Sequence, residues 1–344
     1  MGAALTVDDI RETVRCQEPI RIRGAGTWMD AGRPVHAARH VALDAMAGII
    51  DYEPGDLTLT ARAGTTLAEI DDVTGPERQW LTFDPAGSDA GTIGATVATA
   101  SAGPLAHAFG LPRDAVLGVE AVVGDGRVVR GGGRVVKNVA GFDLTRLFVG
   151  SWGTLGVITE VTVRLRARPE VDETFVLPAS ALDHVRRADI APLAVEMLNA
   201  ALARRLALAD DALLLIRLAG NAASVQAQRL ALGGDPAPAH VWITLRAIEP
   251  AGASVWRCST QPARFADLWA VAASPPDVLA HGTPSRGVVR CIGGTPSALG
   301  ARATVIGERL PADAWGPSRV HDRLSTGIRQ TFDPAGVFNP GILG

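Results

Sequence analysis

Glycine is spread unevenly along this chain, and its distribution limits what the chain can fold into. Most of the 38 glycines lie before residue 160, where they interrupt short runs of β-forming residues. A residue without a Cβ atom is needed where the backbone turns sharply or lies close to a ligand. The first half of the chain is therefore expected to consist of strands whose ends carry tight loops.

Local patterns in this half support that expectation. Residues 57–63 alternate with the period of a half-buried strand, and Thr66 and Glu69 have the spacing of a helix capping box. The pair Asp125 and Gly126 lies between two β-forming runs and predicts a hairpin turn. Residues 156–165 form another β-rich run. These patterns predict a sheet with short, tight connections.

Beyond residue 170 the pattern changes to alanine- and leucine-rich helices that alternate with strands. Strands are predicted at 212–219, 241–246 and 287–292. Asn221 has the position of an N-cap for the helix that follows it. Near the end, apolar residues recur every four positions and predict an amphipathic helix: Val320, Leu324, Ile328 and Phe332.

Composition and charge exclude several classes of protein. The 33 basic and 36 acidic side chains give a net charge of −3, and no basic cluster suggests nucleic-acid binding. Cys16, Cys258 and Cys291 show no CxxC spacing, so they predict neither a disulfide framework nor a metal centre. No signal peptide is recognisable and no apolar run reaches the about 18 residues of a membrane span. A cytoplasmic protein is expected.

Familiar nucleotide-binding and hydrolase motifs are absent. No GxGxxG is present, because Met29 stands at the third position after Gly24 and Gly26, and Val136 stands there after Gly131 and Gly133. A Walker A loop, a nucleophile elbow and an HExxH motif are also missing. A Rossmann dehydrogenase and a P-loop NTPase are therefore poor interpretations.

Three glycine-containing segments remain as candidate binding loops. Residues 23–27 (Arg-Gly-Ala-Gly-Thr) offer bare amide groups that suit an anion-binding nest, although a simple turn would look the same. Residues 87–103 are almost all Gly, Ala, Ser or Thr, which fits either a flexible linker or a packed backbone beside a large, flat ligand. Residues 137–144 and 147–159 bring three glycines at spacing three into a strand, or form only a helix and a turn.

In this order, the segments resemble the FAD-binding domain of the vanillyl alcohol oxidase and p-cresol methylhydroxylase family. The resemblance runs from about residue 18 to 165 and returns at 328–341, where Phe-Asp-Pro-Ala-Gly-Val-Phe-Asn-Pro-Gly stands. Four short segments and the short chain resemble the smaller FAD-binding subunit of bacterial glycolate oxidase in particular: 32–35, 102–104, 136–141 and 338–341.

The resemblance implies an α+β fold class with three segments. Residues 1–170 would form a two-lobed FAD-binding domain of the p-cresol methylhydroxylase type. Residues 171–310 would form a smaller α/β cap domain, and residues 311–344 would return a helix and the Phe-Asn-Pro-Gly segment to the FAD domain.

The resemblance also assigns roles to the loop residues. The FAD pyrophosphate would be held by Gly24, Ala25, Gly26 and Thr27. The second wall, near pyrophosphate and ribose, would be Gly91, Thr92, Gly94 and Ala95. The adenine-side end would be bordered by Gly153, Gly156, Val157 and Ile158. Arg113 and Asp114 would either reach the cofactor or brace their loop, and Asn339 would approach the isoalloxazine ring.

Two departures from the family restrict the chemistry. Thr27 stands where some members attach FAD through a histidine, and no cysteine lies in 87–110, so non-covalent FAD is expected. The H-G-D-G-N-x-H metal motif of the larger hydroxy-acid dehydrogenases is absent, so no metal site is predicted. Only weak candidates remain for catalysis: His107 as a base and Arg290 as a carboxylate ligand.

These observations lead to three alternative functions. The first is a subunit of a glycolate oxidase complex that oxidises a 2-hydroxy acid, with a larger FAD-linked subunit and an iron–sulfur subunit as partners. The second is a non-catalytic flavin relay or assembly subunit of that complex. The third is a stand-alone FAD-dependent hydroxy-acid dehydrogenase, which the missing metal motif disfavours. The expected location is the cytoplasm, with contact to the membrane only through the complex.

Overall fold

The computed structural model of the chain describes residues 5–133, 143–296, 303–316, 318 and 320–344. In chain order, its helices are α1 (Val7–Arg15), α2 (Leu67–Thr74), α3 (Ile93–Thr99), α4 (Ala106–Phe109), α5 (Pro112–Ala115), α6 (Leu144–Phe148), α7 (Leu182–Arg187), α8 (Ala200–Arg205), α9 (Ala222–Leu232), α10 (Val241–Arg246), α11 (Phe265–Ala272) and α12 (Arg323–Phe332).

The strands of the first half are β1 (Ile20–Arg23), β2 (Arg39–Ala42), β3 (Ile49–Glu53), β4 (Thr58–Arg62), β5 (Gln79–Trp80), β6 (Val116–Val122), β7 (Val128–Gly132), β8 (Val157–Arg164) and β9 (Arg166–Ala167). Those of the second half are β10 (Val171–Pro178), β11 (Ala194–Leu198), β12 (Leu213–Gly220), β13 (Asp235–Ala237), β14 (Val255–Ser259), β15 (Leu279–Thr283), β16 (Val288–Ile292) and β17 (Thr304–Arg309). Within the described residues, none of the helices has both the length and the apolar character needed to cross a bilayer.

The elements form two compact units. The first unit comprises Met1–Ala102, Gly110–Arg168 and Gly316–Gly344. The second comprises Gly103–Phe109 and Pro169–Trp315. Each unit has sheets and apolar clusters of its own, so each is described separately.

The first unit contains an antiparallel sheet in the order β3-β4-β8-β6-β7 and a parallel pair, β1 and β2. Its core is one cluster in which Leu59, Ile93, Val97 and Phe148 are almost completely buried. Because α3 packs on β4 and β8, the strands of the sheet fix the position of the small-residue segment. That segment is therefore part of the packed fold and not a flexible linker.

The second unit is built on an antiparallel sheet in the order β13-β10-β12-β11-β15-β16-β14-β17. Three apolar clusters surround its strands, and α9 and α11 each pack against this sheet. The predicted N-cap at Asn221 is confirmed, since its Oδ1 accepts a hydrogen bond from the Ser224 amide at 2.8 Å. The alternation of strands and helices expected beyond residue 170 is therefore present.

Two local predictions are corrected by the structure. Residues Val241–Arg246 form helix α10, so the predicted strand at 241–246 is wrong. Val241 and Leu245 are buried four positions apart on one helical face, and that burial outweighs the β-propensity of the segment. Helix α12 begins at Arg323, which leaves Val320 outside it, and the Leu324 side chain is 72% exposed. Only Ile328 and Phe332 of the predicted stripe pack against the core.

Candidate cofactor-binding site

The first glycine loop leaves the end of β1 and turns sharply. Gly26 has φ +79°, a left-handed conformation that strains any residue with a side chain. Gly24 is constrained by proximity instead, because a Cβ atom there would lie 2.2 Å from the Thr92 Oγ1 atom. The backbone of the loop therefore packs directly against Thr92 at the beginning of α3, with no side chain of Gly24 between them.

The second loop runs into α3, which is held closely against the sheet. Thr92 is the N-cap residue of α3, and its Oγ1 accepts a hydrogen bond from the Ala95 amide at 3.3 Å. A Cβ atom on Gly94 would lie 2.6 Å from the Ala63 Cβ atom of the neighbouring strand end. The absence of side-chain bulk in this segment thus allows a helix to lie directly on the strands.

The third loop precedes β8, and its glycines are also required by the backbone conformation or by close neighbours. Gly153 has φ +66°, and Trp152 before it has the unusual value of φ +54° for a large side chain. A Cβ atom on Gly156 would lie 2.7 Å from the Val122 carbonyl oxygen of β6. The Trp152 amide donates to the Ala98 carbonyl at 2.7 Å, which joins this loop to α3.

These three loops line one pocket in the first unit. The pocket is partly open to solvent. The predicted residues that line it are Gly24, Ala25, Gly26, Thr27, Gly91, Thr92, Gly94, Ala95, Gly153, Gly156, Ile158 and Asn339. Loops that are far apart in the sequence are therefore brought together, although direct contact of each residue with a cofactor stays a prediction.

Sequence reasoning missed the aromatic part of this pocket. Trp28 and Trp152 both line it, and their rings are stacked with centroids 5.8 Å apart and planes at 29°. Each lies beside a residue of a predicted glycine loop, so their positions next to Thr27 and Gly153 were an available signal. The hydroxyl-bearing residues Ser88 and Ser101 also line the pocket and were not predicted to do so.

Three predicted residues are not among those that line the pocket. Arg113 and Asp114 have largely exposed side chains, and Asp114 Oδ2 accepts a hydrogen bond from the Leu111 amide at 2.8 Å. This contact favours the bracing role over the cofactor role for that pair. Val157 is completely buried in the apolar core of the first unit. The predicted segment at 137–142 lies outside the described residues.

Asn339 lies at the pocket wall, but both polar atoms of its side chain are engaged by the backbone. Its Oδ1 accepts from the Ile22 amide at 2.8 Å, and its Nδ2 donates to the Trp152 carbonyl at 2.9 Å. The side chain is 4% exposed. The predicted approach of Asn339 to the isoalloxazine ring stays a prediction, and these two bonds give the residue a different local function.

The catalytic candidate His107 belongs to the second unit. Its Nδ1 lies 2.8 Å from the Ser285 Oγ atom, so the ring is held by a hydroxyl group. Burial lowers the pKa of His107; the carboxylate of Glu196 opposes this shift and Arg286 adds to it. The imidazole is consequently more weakly basic than an exposed histidine. Its role as a base stays a prediction.

Arg290 is engaged in a buried ion-pair network of the second unit. Its Nε donates to Glu249 at 2.9 Å, and its Nη1 pairs closely with Glu308. Burial alone would lower the pKa of Arg290, but the two carboxylates outweigh it and raise the pKa. The guanidinium is thus already neutralised by two internal anions, which weighs against its predicted role as a substrate ligand.

The residues that line the pocket of the first unit fit FAD. Its walls include glycine- and alanine-rich loops in which little side-chain bulk covers the backbone. Such loops can hold phosphate oxygens, and stacked indole rings suit a planar aromatic system. The pocket residues would therefore hold an elongated dinucleotide.

Comparison with known proteins identifies the FAD-binding domain and the fold. A family model described as an FAD binding domain matches residues 3–132. The fold resembles that of a solved alkyldihydroxyacetonephosphate synthase, with a TM-score of 0.71 at 16% identity, covering 97% of this chain and 73% of that chain. The chain thus contains an FAD-binding domain, and its fold is α+β in class, as expected.

The sequence relatives narrow the class to a family. Glycolate oxidase subunit GlcE of Escherichia coli (strain K12) is 32% identical, with the match covering 98% of this chain and 96% of the relative. Glycolate oxidase subunit GlcD of Bacillus subtilis (strain 168) is 34% identical over 53% of this chain and 40% of the relative. The chain belongs to the family of FAD-linked oxidoreductases that includes these glycolate oxidase subunits, and FAD is its cofactor.

The first glycine loop yields a direct test of the pocket. Gly26→Val should weaken FAD binding about tenfold or more, because the loop of the apoprotein can relax from φ +79° and about 1–3 kcal/mol of backbone strain must be restored when FAD binds. The measurement is the FAD dissociation constant of the apoprotein. Gly252→Val is the matched control, since Gly252 has φ +73°, lies in the second unit, and a Cβ atom added there would have nothing within 4 Å. Equal FAD affinity for both variants would contradict the assignment.

A second test concerns the role of Arg290. Arg290→Met should lower the free energy of unfolding by about 3 kcal/mol, because Glu249 and Glu308 lose a buried counter-charge. Arg186→Met removes an exposed ion pair and should cost less than about 1 kcal/mol. Both values come from urea unfolding. If the two variants are equally stable, the network is not structural and the substrate-binding role of Arg290 gains support.

Proposed function

We propose that this chain is the FAD-binding subunit of a glycolate oxidase complex, which oxidises a 2-hydroxy acid to a 2-oxo acid. The observation that carries the proposal is the similarity to the subunit GlcE along almost the whole of both chains. A match of that extent includes both units and not the FAD-binding domain alone. The proposed partners are a larger FAD-linked subunit and an iron–sulfur subunit that receives the electrons.

The proposed chemistry divides between the cofactor and the protein. Oxidation removes the hydroxyl proton of the substrate and, from C2, a hydrogen with two electrons. The bound flavin supplies the acceptor for that hydrogen and those electrons. The residues of the first unit would hold and orient FAD, while a base and a cation must be supplied for the substrate hydroxyl and carboxylate.

A second candidate is a flavin relay or assembly subunit that does not itself bind the substrate. The state of Arg290 favours it, because a substrate carboxylate would have to compete with Glu249 and Glu308 for the same guanidinium. Burial also lowers the pKa of His107, which weakens that residue as a base. Under this alternative the larger subunit would provide the catalytic groups. In both cases the proposed location is the cytoplasm, with membrane contact only through the complex.

Non-covalent attachment is part of the proposal and can be tested first. Among the described residues that line the pocket, none is a histidine, cysteine or tyrosine, which are nucleophilic side chains that could bond to a flavin. After acid precipitation of the purified yellow protein, we expect the flavin in the supernatant. Flavin that stays with the washed pellet would show a covalent link.

The isolated chain is expected to oxidise glycolate or D-lactate poorly or not at all. The reason is that the cationic candidate Arg290 is already paired within the chain. The measurement is anaerobic stopped-flow mixing of the FAD-loaded chain with each acid, followed at the oxidised-flavin band. The matched control repeats the mixing after the larger subunit has been added.

The outcomes separate the alternatives. Bleaching that requires the larger subunit supports a relay or assembly role. Rapid bleaching of the isolated chain, at the turnover rate of the complex, would contradict the expectation and favour a chain that carries its own catalytic groups. Bleaching by neither preparation would contradict the proposed substrate class.

A further inference from the structure

The C-terminal segment inserts beside the first strand of the FAD-binding unit. The Ile20 amide donates to the Val337 carbonyl at 2.9 Å, and the Asn339 amide donates to the Ile20 carbonyl at 2.9 Å. Residues from opposite ends of the chain are thus paired like neighbouring strands, with Ile20 opposite Phe338. This pairing brings the side chain of Asn339 to the end of β1, directly before the first glycine loop.

The side-chain amide of Asn339 then joins β1, which leads into the first cofactor loop, to the third cofactor loop. Its Oδ1 accepts from the Ile22 amide at 2.8 Å, two residues before Gly24. Its Nδ2 donates to the Trp152 carbonyl at 2.9 Å, immediately before Gly153. Because a Cβ atom on Gly153 would lie 2.7 Å from this Nδ2 atom, the third loop can approach the amide only with glycine at that position.

The connection continues from the third loop to the second. The Trp152 amide donates to the Ala98 carbonyl at 2.7 Å, and Ala98 belongs to α3. Asn339 itself has φ +43°, a left-handed conformation that is less strained for asparagine than for most residues with a side chain. One buried amide therefore connects the end of β1 to the third loop, and the third loop is bonded in turn to α3.

We propose that Asn339 is a positioning residue for FAD, which sets the distance between the first and third glycine loops without binding the cofactor through its amide. The inference rests on FAD as cofactor and not on the proposed substrate. The inference would still hold for a chain that binds FAD but oxidises no 2-hydroxy acid. Loss of the amide should let the loops separate and should weaken FAD binding more than it destabilises the apoprotein.

Two substitutions separate the elements of this proposal. Asn339→Asp keeps the acceptor for the Ile22 amide but places an oxygen opposite the Trp152 carbonyl. Asn339→Gly tolerates the left-handed backbone and removes both side-chain bonds. Each should raise the FAD dissociation constant of the apoprotein about tenfold or more, as expected when a buried hydrogen-bond partner is lost. The difference in Tm between holoprotein and apoprotein should shrink accordingly.

Asn199→Asp is the matched control. Asn199 is a buried residue of the second unit whose Nδ2 donates to the Val278 carbonyl at 2.8 Å and whose Oδ1 accepts from the Leu202 amide at 3.0 Å. The same chemical change there should lower the Tm of the apoprotein and leave the FAD dissociation constant unchanged. If Asn199→Asp weakens FAD binding as much as Asn339→Asp, or if neither Asn339 variant weakens it, the proposal is wrong.

Hydrogen exchange of the unaltered chain tests the proposal even if the variants do not fold. Addition of FAD should slow hydrogen exchange at the amides of Ile22 and Asn339, because binding favours the joined arrangement of the loops. The amide of Leu202, which is bonded to Asn199, provides the reference outside the pocket. Unchanged exchange at Ile22 and Asn339 on saturation with FAD would overturn the proposal.

Discussion

Close contact between backbone segments that lack Cβ atoms is the constraint on which the FAD-binding unit depends. A single methyl group at Gly24 would collide with Thr92, and one at Gly94 would collide with Ala63. The first loop, α3 and β4 can therefore be stacked only while these positions are glycine. The bare backbone of these loops lines part of the pocket, beside side chains such as those of Trp28 and Trp152, and successive backbone amides can bind phosphate oxygens. Gly24, Thr92 and Gly94 thus allow this packing and also line the pocket.

Features that depend on neighbouring residues were predictable from the sequence. The Thr66–Glu69 capping box and the hairpin at Gly126, with φ +79°, are both present, because caps and tight turns are determined within a few residues. The glycine loops were recognised in the same way and do line a common pocket. The recognition of the family added their order, and the relative GlcE shows that the family assignment was correct.

Features that depend on distant residues were not predictable. The segment 241–246 has strand propensity, yet α10 forms because burial of Trp242 and Leu245 requires helical spacing. Gly103–Phe109 belongs to the second unit although its neighbours on both sides belong to the first. The bond between Asn339 and Ile22 spans 317 positions, and no local pattern encodes it. In each case a tertiary contact decides the outcome, and single-sequence patterns do not contain that information.

The ion pairs of the second unit bear on whether Arg290 could bind the substrate. Arg290 is paired with two buried carboxylates, those of Glu249 and Glu308. Buried charges that pair with each other are costly to separate, because each partner left behind loses charge compensation, although Glu249 and Glu308 would retain Arg309 and Arg257. A substrate carboxylate would gain little by displacing Glu249 or Glu308 from Arg290, since it offers the same interaction that it breaks. This competition favours a structural role for Arg290 over a role as a substrate ligand.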